Sequence, residues 1–252
     1  MALVRSLKKI GTTHEIVILV PTSKHEELLN KISDYGILKF DGVKVIDSCD
    51  IELPSDLSEQ NHYWTNTFFK LKAFSLEQFK KIVLIDSDML VQRNIDCLFD
   101  KPHMSAVIAG QCMYPDYDSL NSGLMVVVPV SKLYNRLLNS VCPTVKLREQ
   151  EGNACGDQDV IHYVFPDWFA MKECILHEKY NVFWGMEESF CSKYSLTLDD
   201  IAVLHFIGQY KPWNYEHLTW QKLFLSGVKR KSKFIVKRSL LLKKYISMTR
   251  SN

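Results

Sequence analysis

An α/β domain built on a largely parallel sheet is the fold class this sequence predicts, and three observations point there. Short β-rich apolar runs alternate with longer stretches of helical pattern along the whole chain. A length of 252 residues allows one sizeable core rather than several. Apolar residues at 46% and charged residues at 24% describe a globular chain and exclude a disordered one.

The elements follow in order. Ala2–Ile10 has a helical pattern with no strand ahead of it. Glu15–Val20 is nearly all apolar and β-branched, as in a strand covered on both faces, and Val43–Ile46 is a shorter strand. Tyr63–Leu76 predicts a helix and Lys81–Ile85 another buried strand. Ala106–Ala109 and Gly123–Val128 add two strands, after which Pro129 and Ser131 open a helix. A further helix starts at Gly156 or Asp157 and runs through Tyr163, and Ile201–Phe206 is the last strand. From Trp220 onward the pattern is helical and basic. Residues 229–252 carry nine Lys/Arg and no Asp/Glu, which divides the chain into a domain over residues 1–225 and a basic segment over 226–252.

Composition narrows the function classes. Seven cysteines, an odd number with no Cys-x-x-Cys spacing, argue for reduced thiols in a cytoplasmic setting rather than a disulfide framework or zinc site. No apolar run is long enough to span a bilayer, and no secretory signal is visible. The basic segment interleaves its cations with Phe234, Ile235, Leu241, Tyr245 and other apolar residues. That pattern suits either a peripheral helix at an anionic membrane or a helix packed on the core. No nucleic-acid recognition motif accompanies it.

Three Asp-x-Asp triplets compete for chemistry. With 16 aspartates in the chain, chance alone supplies roughly one. Asp86 and Asp88 directly follow the buried run Ile82–Ile85. Residues two apart in extended chain point to one face, so these carboxylates converge while Ser87 faces away. Open α/β sheets bind ligands beyond the carboxyl ends of their strands. Paired carboxylates there suit Mg²⁺ or Mn²⁺ shared with phosphate oxygens; the bland alternative is a capped turn. Asp116 and Asp118 lie in a turn-like polar stretch and read as solvated. Asp157 and Asp159 bracket Gln158 at a helix start, where Asp157 either caps the helix or faces a substrate. His103, His162, His177 and His217 read as structural. His205 stands out, ending a buried strand with Gly208 and Lys211 close behind. An imidazole beside two carboxylates favours Mn²⁺ over Mg²⁺. Gly208 would let backbone approach an anion, and Lys211 would add a point charge to a phosphate.

Five segments in order resemble the family 8 glycosyltransferases, the retaining, metal-dependent group that includes glycogenin and bacterial lipopolysaccharide glycosyltransferases. They are Phe69-Lys70-Leu71, Ile85-Asp86-Ser87-Asp88, Asn121-Ser122-Gly123, Gly156-Asp157-Gln158-Asp159 and His205 through Trp213. The resemblance covers roughly residues 1–225. It implies a Rossmann-like, mixed and mostly parallel sheet of GT-A type that binds a UDP-sugar, with Mn²⁺ (or Mg²⁺) on Asp86, Asp88 and His205. It places Lys70, Asp86, Ser87, Asn121, Gly208 and Lys211 on the donor, and Asp157 and Gln158 near the anomeric carbon with Asp159 orienting them. The reaction implied is transfer of a hexose to a carbohydrate or glycolipid acceptor, with no nucleic-acid partner.

Two departures temper this. Relatives usually begin with a strand and loop that wrap the base, whereas the match here starts inside the following helix at Met1–Leu7. The expectation is therefore an absent first strand, a shortened start and weak activity. The self-glucosylated tyrosine of glycogenin falls on Glu188, with Tyr194 out of register, so self-glucosylation is not expected. A non-catalytic nucleotide-sugar or glycan-binding remnant is the alternative. A nucleotidyltransferase is a third reading, opposed by the lack of a Gly-rich triphosphate loop near the N-terminus.

Overall fold

In the computed structural model the described residues are 1–51, 65–208, 211 and 219–249. Tyr63 and Trp64 of the expected helix, Gln209, Tyr210, Pro212 and Trp213 of the His205–Trp213 segment, His217 and residues 250–252 lie outside them.

The sheet is mixed and flanked by helices, as expected. Strands β1 (Ile16–Pro21) and β2 (Val43–Ser48) pair in parallel with Ile16 opposite Val43. Helix α1 (Ala2–Lys9) precedes them and α2 (His25–Asp34) connects them. Strands β3 (Ile82–Ile85), β5 (Ser105–Val107), β6 (Asn121–Val127) and β7 (Ile175–Leu176) form a second sheet in the order β3-β6-β5-β7. Strands β4 (Met89–Val91), β8 (Val182–Phe183) and β9 (Val203–His205) form a third, with β9 in the middle. Among the described ladders three are parallel and three antiparallel. The antiparallel ones are β3–β6, β5–β6 and β4–β9, the first and last of which bring β6 and β9 beside β3 and β4.

Strand β6 shows why the buried runs were legible. Its Met125 and Val127 enter one core with Phe68, Leu71 and Phe74, while Leu124 and Val126 enter a second with Val4, Leu7 and Met89. A strand covered on both faces is apolar at every position, so it appears in sequence as an unbroken run. The expected helix before β3 is a 3₁₀ helix, Thr65–Ser75, instead of an α-helix. Phe68, Leu71 and Phe74 recur every third residue, and the three-residue turn of a 3₁₀ helix holds all three on the core side. The same period lines up Thr67 with Lys70.

Helices α3 (Ser131–Gln150) and α4 (Asp157–Val164) cover the first core. Helix α5 (Glu187–Tyr194) and the C-terminal hairpin of α6 (Thr219–Lys229) and α7 (Lys233–Met248) enclose a third. One face of α7 is packed: Leu242, Tyr245 and Ile246 are buried with Phe190, Leu204 and Phe206, and the Tyr245 ring centroid lies 4.6 Å from that of Phe206. Arg238 Nε donates to the buried Glu187 Oε1 at 3.3 Å, fastening α7 to α5. The other face is exposed and basic. No helix among the described residues is long and apolar enough to cross a membrane.

Candidate functional site

The site forms where the chain steps from β3 to β4. Asp86 ends β3, its N–H donating to Gly123 O of β6 at 2.8 Å. Asp88 opens β4, its carbonyl accepting from Phe206 N–H at 3.0 Å, and Met89 stands opposite His205 in the β4–β9 ladder. The two carboxylates thus leave different sheets from adjoining ends, with Ser87 exposed between them. His205 Nε2 lies 3.3 Å from Asp88 Oδ1 and 3.9 Å from Asp86 Oδ2. One donor atom from each of Asp86, Asp88 and His205 falls within 4.8 Å of the others, close enough to share one cation.

A relay of side-chain amides sets the tautomer of His205. The Gly123 N–H can only donate, and it donates to Asn121 Oδ1 at 3.0 Å. That oxygen also accepts from Asn181 Nδ2 at 2.7 Å, which turns Asn181 Oδ1 toward His205 Nδ1 at 2.9 Å. Nδ1 must therefore carry a proton, so that the neutral ring presents its Nε2 lone pair to the two carboxylates. Two anionic oxygens facing a lone pair repel unless a cation lies between them, so the donor set fits a divalent metal. On its other side Asn121 Nδ2 donates to Gln158 Oε1 at 3.1 Å, which also accepts from Ser122 N–H at 3.1 Å. Gln158 Nε2 is 3.4 Å from the Tyr117 hydroxyl. Glycine at 123 is a packing requirement here. A Cβ on it would sit 2.6 Å from His205 Cε1 and 2.7 Å from Met89 Cε.

Two lysines balance part of the charge. Lys70 Nζ bridges Asp86 Oδ1 at 2.8 Å and Asp157 Oδ2 at 3.0 Å. Lys211 Nζ pairs with Asp88 Oδ2 and also donates to Phe206 O at 2.7 Å. Burial works against the Lys70 ammonium, but Asp157 and Asp86 outweigh it and raise its pKa. Burial pushes the Asp86 carboxyl above its ordinary value, with Lys70 opposing. Burial also pushes Asp88 upward, yet in the absence of a cation a doubly protonated His205, through its Nε2–H and its charge, together with Lys211 overcomes it and brings the carboxyl down to about 2. Three carboxylates against two ammonium groups leave a net negative pocket.

Asp157 is the first residue of α4, but capping falls elsewhere. Asp159 Oδ2 accepts from Gly156 N–H at 2.8 Å and its Oδ1 lies 3.2 Å from Arg148 Nε, while Asp157 N–H donates to Thr67 Oγ1 at 3.1 Å. The Asp157 carboxylate is thereby free to hold Lys70. Gly208 is exposed with φ +73°, in the left-handed region that favours glycine. Asp116 and Asp118 are exposed in the loop before β6. His103 Nδ1 accepts from Val128 N–H, His162 Nε2 pairs with Leu120 O and His177 Nδ1 accepts from Lys179 N–H, all structural roles. Sequence reasoning missed Asn181. It is fully buried in the short link before β8, in the pair Tyr180-Asn181, which matches glycogenin in sequence but carries no chemical signature of a role at the site.

Comparison with known proteins agrees with this geometry. The family described as Glycosyl transferase family 8 matches residues 3–217. Glycogenin-1 of Caenorhabditis elegans is 30% identical over 244 residues, covering 92% of this chain and 53% of the relative. The putative UDP-glucuronate:xylan alpha-glucuronosyltransferase 3 of Arabidopsis thaliana is 28% identical, covering 84% of this chain and 32% of the relative. The chain thus spans about half or less of the length of these relatives. Among solved structures, the glycosyltransferase GlyE of Streptococcus pneumoniae TIGR4 superposes with a TM-score of 0.55 over 99% of this chain and 61% of that one. Its 19% identity speaks for the fold.

Proposed function

Because this chain belongs to glycosyl transferase family 8, we propose that it transfers a hexose from a UDP-sugar to a carbohydrate or glycolipid acceptor with retention of configuration. The observation that carries this reading is the convergence of Asp86, Asp88 and His205 Nε2, flanked by Lys70 and Lys211. Asp86, Asp88 and His205 would hold Mn²⁺, or less well Mg²⁺, since an imidazole ligand favours the softer ion. A bound divalent ion supplies Lewis-acid neutralisation of the charge that builds on the leaving diphosphate.

The chain's own residues supply the rest. Lys211 exchanges its Asp88 partner for a phosphate oxygen, and the positive φ of Gly208 lets backbone N–H groups approach the same diphosphate. Lys70 stays between Asp86 and Asp157 and contacts the donor from there; Ser87 lies at the edge of the donor pocket. Asn121 and Gln158 present amides of fixed orientation to the transferred sugar. Asp157 places a negative charge where positive character develops on the ring, an electrostatic role that needs no covalent bond. The reduced thiols fit a cytoplasmic setting.

The test is UDP release across a panel of UDP-hexoses with UDP-glucuronate included, in Mn²⁺, with Asp88→Asn as blank. Release from at least one donor in the wild type alone is expected. UDP uptake without release on any donor or acceptor would favour a binding remnant, the second reading.

A further inference from the structure

The loop over residues 110–118, on the way from β5 to β6, holds three large apolar side chains in solvent. Met113 is 47% exposed, Tyr114 60% and Tyr117 39%. Both feet of this loop stand at the site. At its start, a Cβ on Gly110 would meet the Phe183 ring at 3.5 Å. Phe183 in turn packs edge-on against His205, with ring centroids 5.5 Å apart. At its end, Gln158 Nε2 donates to the Tyr117 hydroxyl oxygen at 3.4 Å. The opposite atom of that amide, Gln158 Oε1, is taken by Asn121 and Ser122, so the phenol's own proton is turned away from Gln158.

The loop is fixed in shape. Gly110 has φ +91° and its carbonyl accepts from the N–H groups of Met113 at 3.0 Å and Tyr114 at 2.9 Å. Gln111 Nε2 donates across the loop to Tyr117 O at 2.8 Å. Cys112 N–H donates at 3.0 Å to Oε1 of Glu178, a residue only 4% exposed, whose Oε2 accepts from the Tyr194 hydroxyl at 3.1 Å. A buried carboxylate thus anchors a surface loop whose apolar side chains stay outside the core. Its charge has one sign: residues 110–120 include Asp116 and Asp118, both exposed, and no Lys, Arg or His.

We propose that Tyr114, Tyr117 and Met113 form the platform on which the acceptor lies, and that the platform selects an uncharged sugar over an anionic one. A pyranose presents C–H groups on its faces and hydroxyls around its edge. Tyrosine rings cover such a face at little cost in side-chain entropy, and Met113 adapts to its outline. The Tyr117 hydroxyl donates to a sugar oxygen, and Asp116 and Asp118 accept from sugar hydroxyls. A phosphate or uronate on the same ring would face those two carboxylates with no cation on the loop to offset them. Because the loop is already shaped, little ordering is needed on binding. The hydrogen bond from Gln158 to Tyr117 makes the platform continuous with the groups assigned to the transferred sugar. Calling its ligand an acceptor rests on the transferase reading; the sugar platform itself does not.

The test is calorimetry of the full chain, with Mn²⁺ and UDP present, against neutral hexose oligosaccharides and their uronic-acid counterparts. UDP release is measured on the same samples with UDP-hexose replacing UDP. The neutral oligosaccharides are expected to bind, and the uronic acids to bind about tenfold more weakly or worse. Tyr114→Ala should weaken neutral binding by about tenfold, and Tyr114→Trp should retain it, with UDP affinity unchanged in both. Binding that depends on Tyr114 without UDP release would uphold the platform and overturn the transferase reading. Release to a neutral acceptor with the same KM in Tyr114→Ala would overturn the platform and leave that reading standing. Uronic acids bound as tightly as neutral sugars, or no neutral oligosaccharide bound at all, would also overturn it.

Discussion

Replacing Gly123 with alanine tests the packing logic of the site in the most quantitative way. The added Cβ would meet His205 Cε1 at 2.6 Å, Met89 Cε at 2.7 Å and Asn121 Oδ1 at 2.8 Å. Ordinary contact begins near 3.4 Å, so β6 and β9 must part by about 0.8 Å. His205 and Met89 are both buried, so neither side chain can rotate away into solvent. Overpacking of this kind costs about 1–3 kcal/mol. For a chain of this size that lowers Tm by roughly 2–12 °C. The shift also exceeds the tolerance of about 0.2 Å for a metal–ligand distance. Differential scanning fluorimetry with and without Mn²⁺ reads both effects: a lower Tm without metal, and a smaller metal-induced rise. A variant melting within a degree of wild type, with the full Mn²⁺ response, would refute the argument that Gly123 sets the His205 position.

Three further outcomes are expected. Asn181→Ala removes the acceptor that fixes the His205 tautomer, and Mn²⁺ affinity measured by calorimetry should fall about 10–100-fold with little change in fold by circular dichroism. Burial lowers the pKa of His103 and His162 from the ordinary 6.5. Near and below pH 6.5 these two histidines bind more protons in the unfolded chain than in the folded one, so their contribution to urea stability should fall as pH drops from 7.5 to 5.5, and His103→Gln should flatten that slope. The exposed apolar residues Leu225, Val228 and Leu240 stand among Lys229, Arg230, Lys231 and Lys237 on the outer faces of α6 and α7. Flotation with phosphatidylserine vesicles should recover the chain and fail after reversing the charges at 229–231; equal recovery of both would remove the peripheral-membrane reading.

How much of this was legible beforehand depended on what each residue packs against. Strands β3 and β6 were readable because each packs against a core on both faces, β6 fully buried and β3 partly so. Strands β4, β7 and β8 are two or three residues long and carry no periodicity to read. Helix α2 was passed over because only Ile32 of its ten residues is buried, leaving no apolar stripe. Asp86 and Asp88 were found through the strand that precedes them, yet their meeting with His205 depends on the β4–β9 pairing, which joins segments more than a hundred residues apart. The same holds for Asp157, whose ion-pair partner Lys70 lies 87 positions earlier. Asn181 acts only through hydrogen bonds to two distant side chains, and local sequence has no mark for that.

The most direct measurement is a Mn²⁺ titration followed by electron paramagnetic resonance, with and without UDP. One bound Mn²⁺ per chain is predicted, held more tightly when UDP is present, and lost in Asp88→Asn and in His205→Ala. Wild type and both variants binding the ion alike, or UDP binding that ignores the metal, would contradict the assignment of Asp86, Asp88 and His205 as the centre of the site.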